Sequence, residues 1–126
     1  MIVQEMPRDT PAVLYVCAAH RGTSAVGVER ATEEGHAFAE RYNLRIVDEI
    51  TDMYGEPVPS KRRGWARVRE MANKREIEVA IVRWPNALSP VPAHRPPELA
   101  YLKRHGVQIV YSWAPLGVLA SGSAAR

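Results

Sequence analysis

The residues best placed to do chemistry follow the first strongly apolar stretch of the chain. Residues 13–18 read Val-Leu-Tyr-Val-Cys-Ala, and such a continuous apolar run is typical of a strand buried on both faces of a parallel sheet. His20 and the run Arg21-Gly22-Thr23-Ser24 follow it. Ligands and catalytic groups collect at the carboxyl ends of strands in open α/β sheets. A nucleophile, a metal ligand or an anion site is therefore expected here first.

Cys17 is a candidate nucleophile because it lies between a strand and the predicted start of a helix, where the helix dipole lowers a thiol pKa. A phosphatase-type loop would need an arginine six residues after the cysteine, and that position holds Thr23. Free cysteine is usually a small buried apolar side chain, so a structural role is favoured. Cys17 and His20 are spaced like two metal ligands, but no second Cys/His pair exists, and no metal site is predicted.

Three residues at the start of that helix are candidate anion contacts: Arg21, Thr23 and Ser24. Backbone amides at a helix N-terminus can hold an anion, although an ordinary capped helix is the favoured interpretation. Asp48, Glu49 and Asp52 could supply paired carboxylates near the same sheet edge, but no recognisable nucleophile accompanies them. A small enzyme of another class, using Cys17 or these acids, remains an alternative.

A second candidate site is basic. Residues 61–75 contain seven basic residues and a single acidic one, Glu70, and such a face can bind nucleic-acid phosphates. Trp65 is the only aromatic residue there, and its helical spacing places it in the core, so a stacking platform is missing. A solvated helix face is favoured. The alternative is a non-catalytic nucleic-acid-binding module with contacts at Lys61, Arg62, Arg63, Arg67 and Arg69.

The elements that would position these residues alternate along the chain. Strands are predicted at 12–18, 44–50, 77–82 and 107–113, and helices after Ser24, at 62–74 and at 98–105. This order predicts one α/β domain with a mostly parallel four- or five-stranded sheet and helices on both faces. We expect a flexible N-terminal arm over 1–11, the domain over 12–117 and a disordered tail over 118–126. Residues 51–61 and the proline-rich stretch from Pro85 to Pro97 are predicted as loops.

Composition limits the class of protein. The chain has 126 residues, a formal charge of +3 and a pI near 9.3, which permits an acidic partner without requiring one. No apolar run approaches the roughly 20 residues of a membrane span, and a single cysteine cannot form an internal disulfide, so a cytoplasmic protein is predicted. No cofactor is predicted.

Four short segments in order carry a family resemblance. Residues 15–19 read Tyr-Val-Cys-Ala-Ala, 52–55 Asp-Met-Tyr-Gly, 62–65 Arg-Arg-Gly-Trp and 86–90 Asn-Ala-Leu-Ser-Pro. With these segments, residues 12–115 resemble the catalytic domain of the serine recombinases, the resolvases and invertases. The resemblance implies a resolvase-like α/β fold and a link to DNA transactions.

The same resemblance places the family's active-site positions on residues of other types. The serine nucleophile falls at Ala19, and a methyl group cannot attack phosphorus. Family arginines fall at Cys17, Ala87 and Pro90, the glutamine at Thr23 and the aspartate at Asn86, while Arg62 keeps its arginine. Phosphoryl transfer needs such cations.

The resemblance therefore predicts that the chain is not an enzyme. It predicts instead an interaction or assembly module that self-associates or binds a protein partner. Family members continue into a long helix used for dimer contacts and DNA, which we expect to be missing here.

Overall fold

Strands and helices alternate along the chain as the apolar pattern predicts. A computed structural model of the protein describes residues 9–19 and 26–113. Two 3-10 turns lie at Pro59–Lys61 and Pro92–His94. The other elements are β1 (Thr10–Ala19), α1 (Val26–Arg41), β2 (Leu44–Met53), α2 (Arg63–Asn73), β3 (Val79–Val82), α3 (Pro85–Leu88), α4 (Arg95–Arg104) and β4 (Gln108–Tyr111).

The four strands form one parallel sheet in the order β2-β1-β3-β4. β1 lies inside the sheet, and residues 12–17 are all buried, because helices cover both faces of a parallel sheet. Parallel pairing brings the carboxyl ends of all four strands to the same edge. The predicted fold class, a single α/β domain with helices on both faces, is confirmed.

Side chains of β1 alternate between two cores. Val13, Tyr15 and Cys17 face a core that includes Trp65 of α2 and Leu102 of α4. The even-numbered residues 12, 14 and 16 face the second core, which α1 covers. In α1, a Cβ on Gly35 would overlap the Leu14 methyl groups, so this glycine permits the close approach of the helix to the sheet.

Several boundaries differ from the predicted ones. β3 and β4 are shorter than the predicted strands 77–82 and 107–113, and α4 begins at Arg95, three residues before the predicted helix. β1 begins at Thr10, whose amide donates to Asn43 O at 3.3 Å. β2 continues to Met53 because β1 pairs with it along its whole length, as far as Ala19 with Met53, so residues 51–53 are strand instead of loop. The proline-rich stretch contains α3, where Pro85 occupies the first turn and its missing N–H costs nothing.

The predicted tail, residues 118–126, and residues 1–8 of the predicted arm lie outside the described residues, while Thr10 and Pro11 belong to β1. None of the described helices combines the length and the apolarity required to span a bilayer.

Candidate functional site

Three polar side chains form a hydrogen-bonded cluster at the carboxyl edge of the sheet. The Tyr15 hydroxyl donates to Asp52 Oδ2 at 2.7 Å, and Arg62 Nη1 donates to the Tyr15 oxygen at 3.2 Å. Tyr15 is fully buried and Arg62 is 4% exposed. Burial, and then the neighbouring Cys17, raise the pKa of Tyr15 well above its ordinary value. The phenol is therefore a fixed proton donor to the carboxylate.

Asp52 also satisfies the start of α2. Gly64 N donates to Asp52 Oδ1 at 2.8 Å, and Trp65 N donates to Oδ2 at 3.0 Å. These amides have no acceptor within their own helix, and a carboxylate is favourable at the positive end of the helix. A Cβ on Gly64 would lie 2.7 Å from both Asp52 oxygens and from Ile50 Cγ2. This position therefore requires glycine.

Arg62 connects three separate segments. Besides Tyr15, its Nη1 donates to Ala87 O at 2.9 Å and its Nε to Glu56 O at 2.7 Å. Of the five N–H donors of a guanidinium, three thus bond to protein oxygens, and Nη2 has no acceptor within the part of the chain that the structure describes. The guanidinium holds α3 and the loop after β2 against β1.

Cys17 lies beside this cluster as a buried thiol. It is 5% exposed, and its Sγ donates to Met53 O at 3.7 Å. Burial raises the pKa of Cys17, against the positive charge of Arg62, which lowers it. The thiolate that a nucleophile requires is therefore disfavoured. Among residues 9–19 and 26–113, no group of three or more His, Cys, Asp and Glu side chains could hold a metal ion.

The structure separates the acids of β2. Asp48 accepts from Arg67 Nε at 3.1 Å and Nη2 at 2.9 Å on the α2 face. Glu49 contacts His36 of α1 on the opposite face. Asp52 alone belongs to the buried cluster, so the acids at this strand end do not form one paired-carboxylate site.

The basic run divides into two groups. Arg62 is buried, and three others form ion pairs: Arg67–Asp48, Arg69–Glu98 and Lys74–Glu70. The remaining cations, Lys61, Arg63 and Arg75, are exposed, and the described residues place no carboxylate against them. Trp65 is fully buried, as its spacing predicts. The predicted contacts at Arg21, Thr23 and Ser24 lie outside the described residues.

A cavity of about 210 Å³ opens beside the cluster, between β1, α1 and α3. Its walls combine small apolar side chains with aromatic and polar ones: Val16, Cys17, Ala31, Tyr54, Arg83, Trp84, Asn86 and Ala87. Arg83 lies with its Cζ 4.4 Å from the centre of the Trp84 ring, and its Nε contacts Glu34 Oε1 at 3.0 Å.

The sequence interpretation missed the contributions of Tyr54, Arg83 and Trp84 to this cavity. Tyr54 lies in the segment 52–55 that carries the resemblance, where it was given no role, and Arg83 and Trp84 follow the third predicted strand outside any motif. Their position directly after β2 and β3 is the one signal that could have found them.

No protein-family model matches the sequence, and no curated protein matches it. The structure of the chain does match solved structures. The C-terminal catalytic domain of ISC1926 TnpA, an IS607-like serine recombinase, superposes with a TM-score of 0.73 at 14% identity, covering 87% of this chain and 75% of that one. The N-terminal catalytic domain of TP901-1 integrase gives 0.66 at 14% identity, covering 82% and 77%. A serine recombinase from Sulfolobus solfataricus gives 0.56 at 21%, covering 79% and 68%.

The chain has the serine recombinase catalytic-domain fold. This confirms the resemblance drawn from residues 15–19, 52–55, 62–65 and 86–90. The prediction that the chain is not an enzyme is wrong, because the domains that share this fold are the catalytic parts of enzymes and nothing in the structure shows inactivity. That prediction took the residue types at a few positions as decisive for the whole domain.

Three of the positions implied by the family, Cys17, Asn86 and Ala87, line the same cavity. Ala19 ends β1, where it pairs with Met53. Asn86 and Ala87 lie in α3, and Pro90 follows it. Thr23 lies outside the described residues.

Arg95 also lies in this region, although the resemblance to the family gave it no role. Its Nη2 donates to Asn86 Oδ1 at 2.8 Å, and its Nε donates to Ser89 O at 2.8 Å. A second guanidinium besides Arg62 therefore lies near α3. The proline-rich sequence around Arg95 gave no signal of this, because the contact depends on the turn at Pro92–His94.

Proposed function

We propose that this domain acts in DNA transactions as a self-associating module that contacts DNA. One observation carries the proposal: the serine recombinase fold with the Tyr15–Asp52–Arg62 cluster intact at its carboxyl edge. Structures with this fold include a serine recombinase TnpA and an integrase, whose names describe DNA rearrangement. The cluster holds β1, α2 and α3 in one arrangement, which supports use of this edge as a binding surface.

The charge near this edge supports a polyanionic partner. Lys61 and Arg63 flank the buried Arg62 and are exposed, and neither faces a carboxylate among the described residues. Cations free of internal partners can release counterions from DNA phosphates, so binding would weaken with salt. We include Arg21, Thr23 and Ser24 in this proposed contact region.

The proposed site of action is the cytoplasm. The single cysteine is a buried free thiol, which suits a reducing compartment.

The test measures mass in solution by light scattering and by sedimentation, with and without a short DNA duplex, at low and at high salt. We expect a dimer or a larger assembly of the protein, and duplex binding that falls steeply as salt rises. A monomer at every concentration, with no complex at low salt, would exclude the proposal.

A further inference from the structure

We propose that the cavity between β1, α1 and α3 binds a single unpaired nucleobase. The inference rests on the proposed DNA function and specifies the form of DNA that this edge takes. It concerns Tyr54, Arg83, Trp84 and Asn86, which line the cavity and have no part in the Tyr15–Asp52–Arg62 cluster.

The aromatic wall of the cavity is fixed before any ligand binds. The Arg83 guanidinium lies 4.4 Å from the centre of the Trp84 ring, and Glu34 of α1 holds that guanidinium at 3.0 Å. Trp113 packs edge-on against Trp84, with ring centres 4.9 Å apart and planes at 78°. Arg83 therefore covers one face of the Trp84 ring, and its guanidinium plane is itself a stacking surface, because unpaired bases stack on arginine guanidinium planes as well as on aromatic rings. A surface that is already held in place loses little freedom when a base stacks on it.

Two polar side chains of the cavity can donate hydrogen bonds to a ligand. Asn86 Oδ1 already accepts from Arg95 Nη2 at 2.8 Å, so the carboxamide of the exposed Asn86 presents its NH₂ to a ligand. Arg83 uses its Nε for Glu34, and its terminal nitrogens have no acceptor among residues 9–19 and 26–113. Donors of this kind match the carbonyl oxygens and ring nitrogens on the edges of bases. Thymine, with two carbonyl acceptors, suits them.

The size and shape of the cavity favour a ligand with a single ring system. The cavity measures about 210 Å³, below the roughly 300–1,000 Å³ of sites for drug-sized ligands. Its apolar wall consists of small side chains, among them Ala31, Ala87 and Cys17. A base within a duplex cannot enter such a site and must first leave the stack. The ligand is therefore an unpaired base, presented by a single strand or as a free nucleotide.

The experiment uses fluorescence anisotropy with a labelled oligothymidylate and, in parallel, a duplex of the same length. Asn86→Asp replaces the donating amide by an acceptor, and the new carboxylate can pair with Arg95, so folding is preserved. Trp84→Leu removes the aromatic wall but keeps an apolar side chain. We expect each variant to weaken single-strand binding by about tenfold or more. Trp84→Leu keeps the net charge and should leave duplex binding unchanged, while Asn86→Asp adds a negative charge at this edge and should weaken single-strand binding more than duplex binding. Leu99→Ala, a change at an exposed residue of α4, is the control and should alter neither.

Competition with thymidine monophosphate distinguishes the two sources of the base. If the nucleotide displaces the strand, the base site alone provides the affinity. Displacement only at much higher nucleotide concentrations would show that the strand backbone contributes as well, and no displacement at any concentration would count against the cavity as the base site. Unchanged oligothymidylate affinity in both Asn86→Asp and Trp84→Leu would overturn the inference while leaving the proposed function intact. Failure of the unmodified protein both to bind duplex and to self-associate would instead overturn the proposed function.

Discussion

Asp52 illustrates how much one side chain determines at this sheet edge. Its two oxygens accept hydrogen bonds from the Tyr15 hydroxyl and from the Gly64 and Trp65 amides. A half-buried carboxylate thus satisfies a buried phenol and the first turn of α2 together. Removal of the carboxylate would leave donors on two elements without an acceptor, and unpaired buried donors are costly.

We therefore predict that Asp52→Ala lowers the free energy of unfolding by about 2–4 kcal/mol. This is the sum of a lost helix cap and a buried hydroxyl left without an acceptor. Urea denaturation followed by circular dichroism measures this change. Asp48→Ala is the matched control on the same strand, because Asp48 pairs with the exposed Arg67 and accepts one exposed local bond from Glu49 N, and it should cost about 0–1 kcal/mol. Equal effects of the two changes would contradict the assigned role of Asp52.

Cys17 gives a second prediction at this scale. Its raised pKa means that less thiolate is present in the folded protein than in a free cysteine at any pH near neutrality. Alkylation by iodoacetamide should therefore be slower than alkylation of the urea-unfolded chain at the same pH, and should accelerate only at more alkaline pH. Because the chain has one cysteine, mass spectrometry reads the rate without ambiguity.

The pKa shift of Cys17 also fixes the sign of a pH effect on stability. The folded state holds the thiol proton more tightly than the unfolded state does, so this residue's contribution is complete below the unfolded pKa of about 8.5 and declines as pH rises above it. Fast alkylation of the folded protein at neutral pH would restore Cys17 as a candidate nucleophile.

At the scale of elements, the packing of α2 against β2 depends on a glycine. Gly64 leaves room for the Asp52 carboxylate and the Ile50 side chain, which a Cβ would approach to 2.7 Å. Both the carboxylate and the strand side chain are held in the sheet, so the helix must move. Any larger residue would therefore pull the first turn of α2 away from its acceptor.

We predict that Gly64→Ala destabilises the protein by about 1–3 kcal/mol, the range for overpacking, although alanine is the better helix former. Gly27→Ala in α1 is the control, because nothing lies within 4 Å of a Cβ there; it should stabilise by about 0.5–1 kcal/mol. Thermal unfolding of both variants provides the comparison. A stabilised Gly64→Ala variant would show that the helix start can shift freely.

The elements could largely be predicted from the sequence, while the site could not. Apolar runs and helical spacing are local signals, so β1, α2 and the parallel order follow from them directly. The contacts of the site join residues far apart: Tyr15 and Asp52 are 37 residues apart and Arg62 and Ala87 are 25 apart. Two of the three ion pairs of the basic run were equally hidden, because Asp48 and Glu98 come from other elements.

At the scale of the whole molecule, exposed cations differ in their position relative to the strand ends. Arg63 begins α2 beside the Tyr15–Asp52–Arg62 cluster, whereas Arg45 lies near the start of β2, at the opposite edge of the sheet. Both are exposed. If DNA is attracted by net charge alone, the two arginines should contribute equally to the affinity. If DNA binds at the carboxyl edge, Arg63 should contribute more than Arg45.

We predict that Arg63→Glu weakens duplex binding by about tenfold and lowers the slope of log affinity against log salt by about one or more. Arg45→Glu makes the same change in net charge and should have a markedly smaller effect. Gel-shift titrations at several salt concentrations measure both quantities. The same loss in both variants would indicate that net charge, and not this edge, attracts DNA.

The three bonds of the Arg62 guanidinium have a dynamic consequence. They connect the loop at Glu56, α3 at Ala87 and β1 at Tyr15. Separation of any one of these segments breaks a hydrogen bond of the same guanidinium, so we expect the three segments to open together. Local unfolding proceeds through cooperative units of this kind. The backbone amides of all three segments should therefore exchange with solvent deuterium at a common rate, as one cooperative unit at this edge of the sheet.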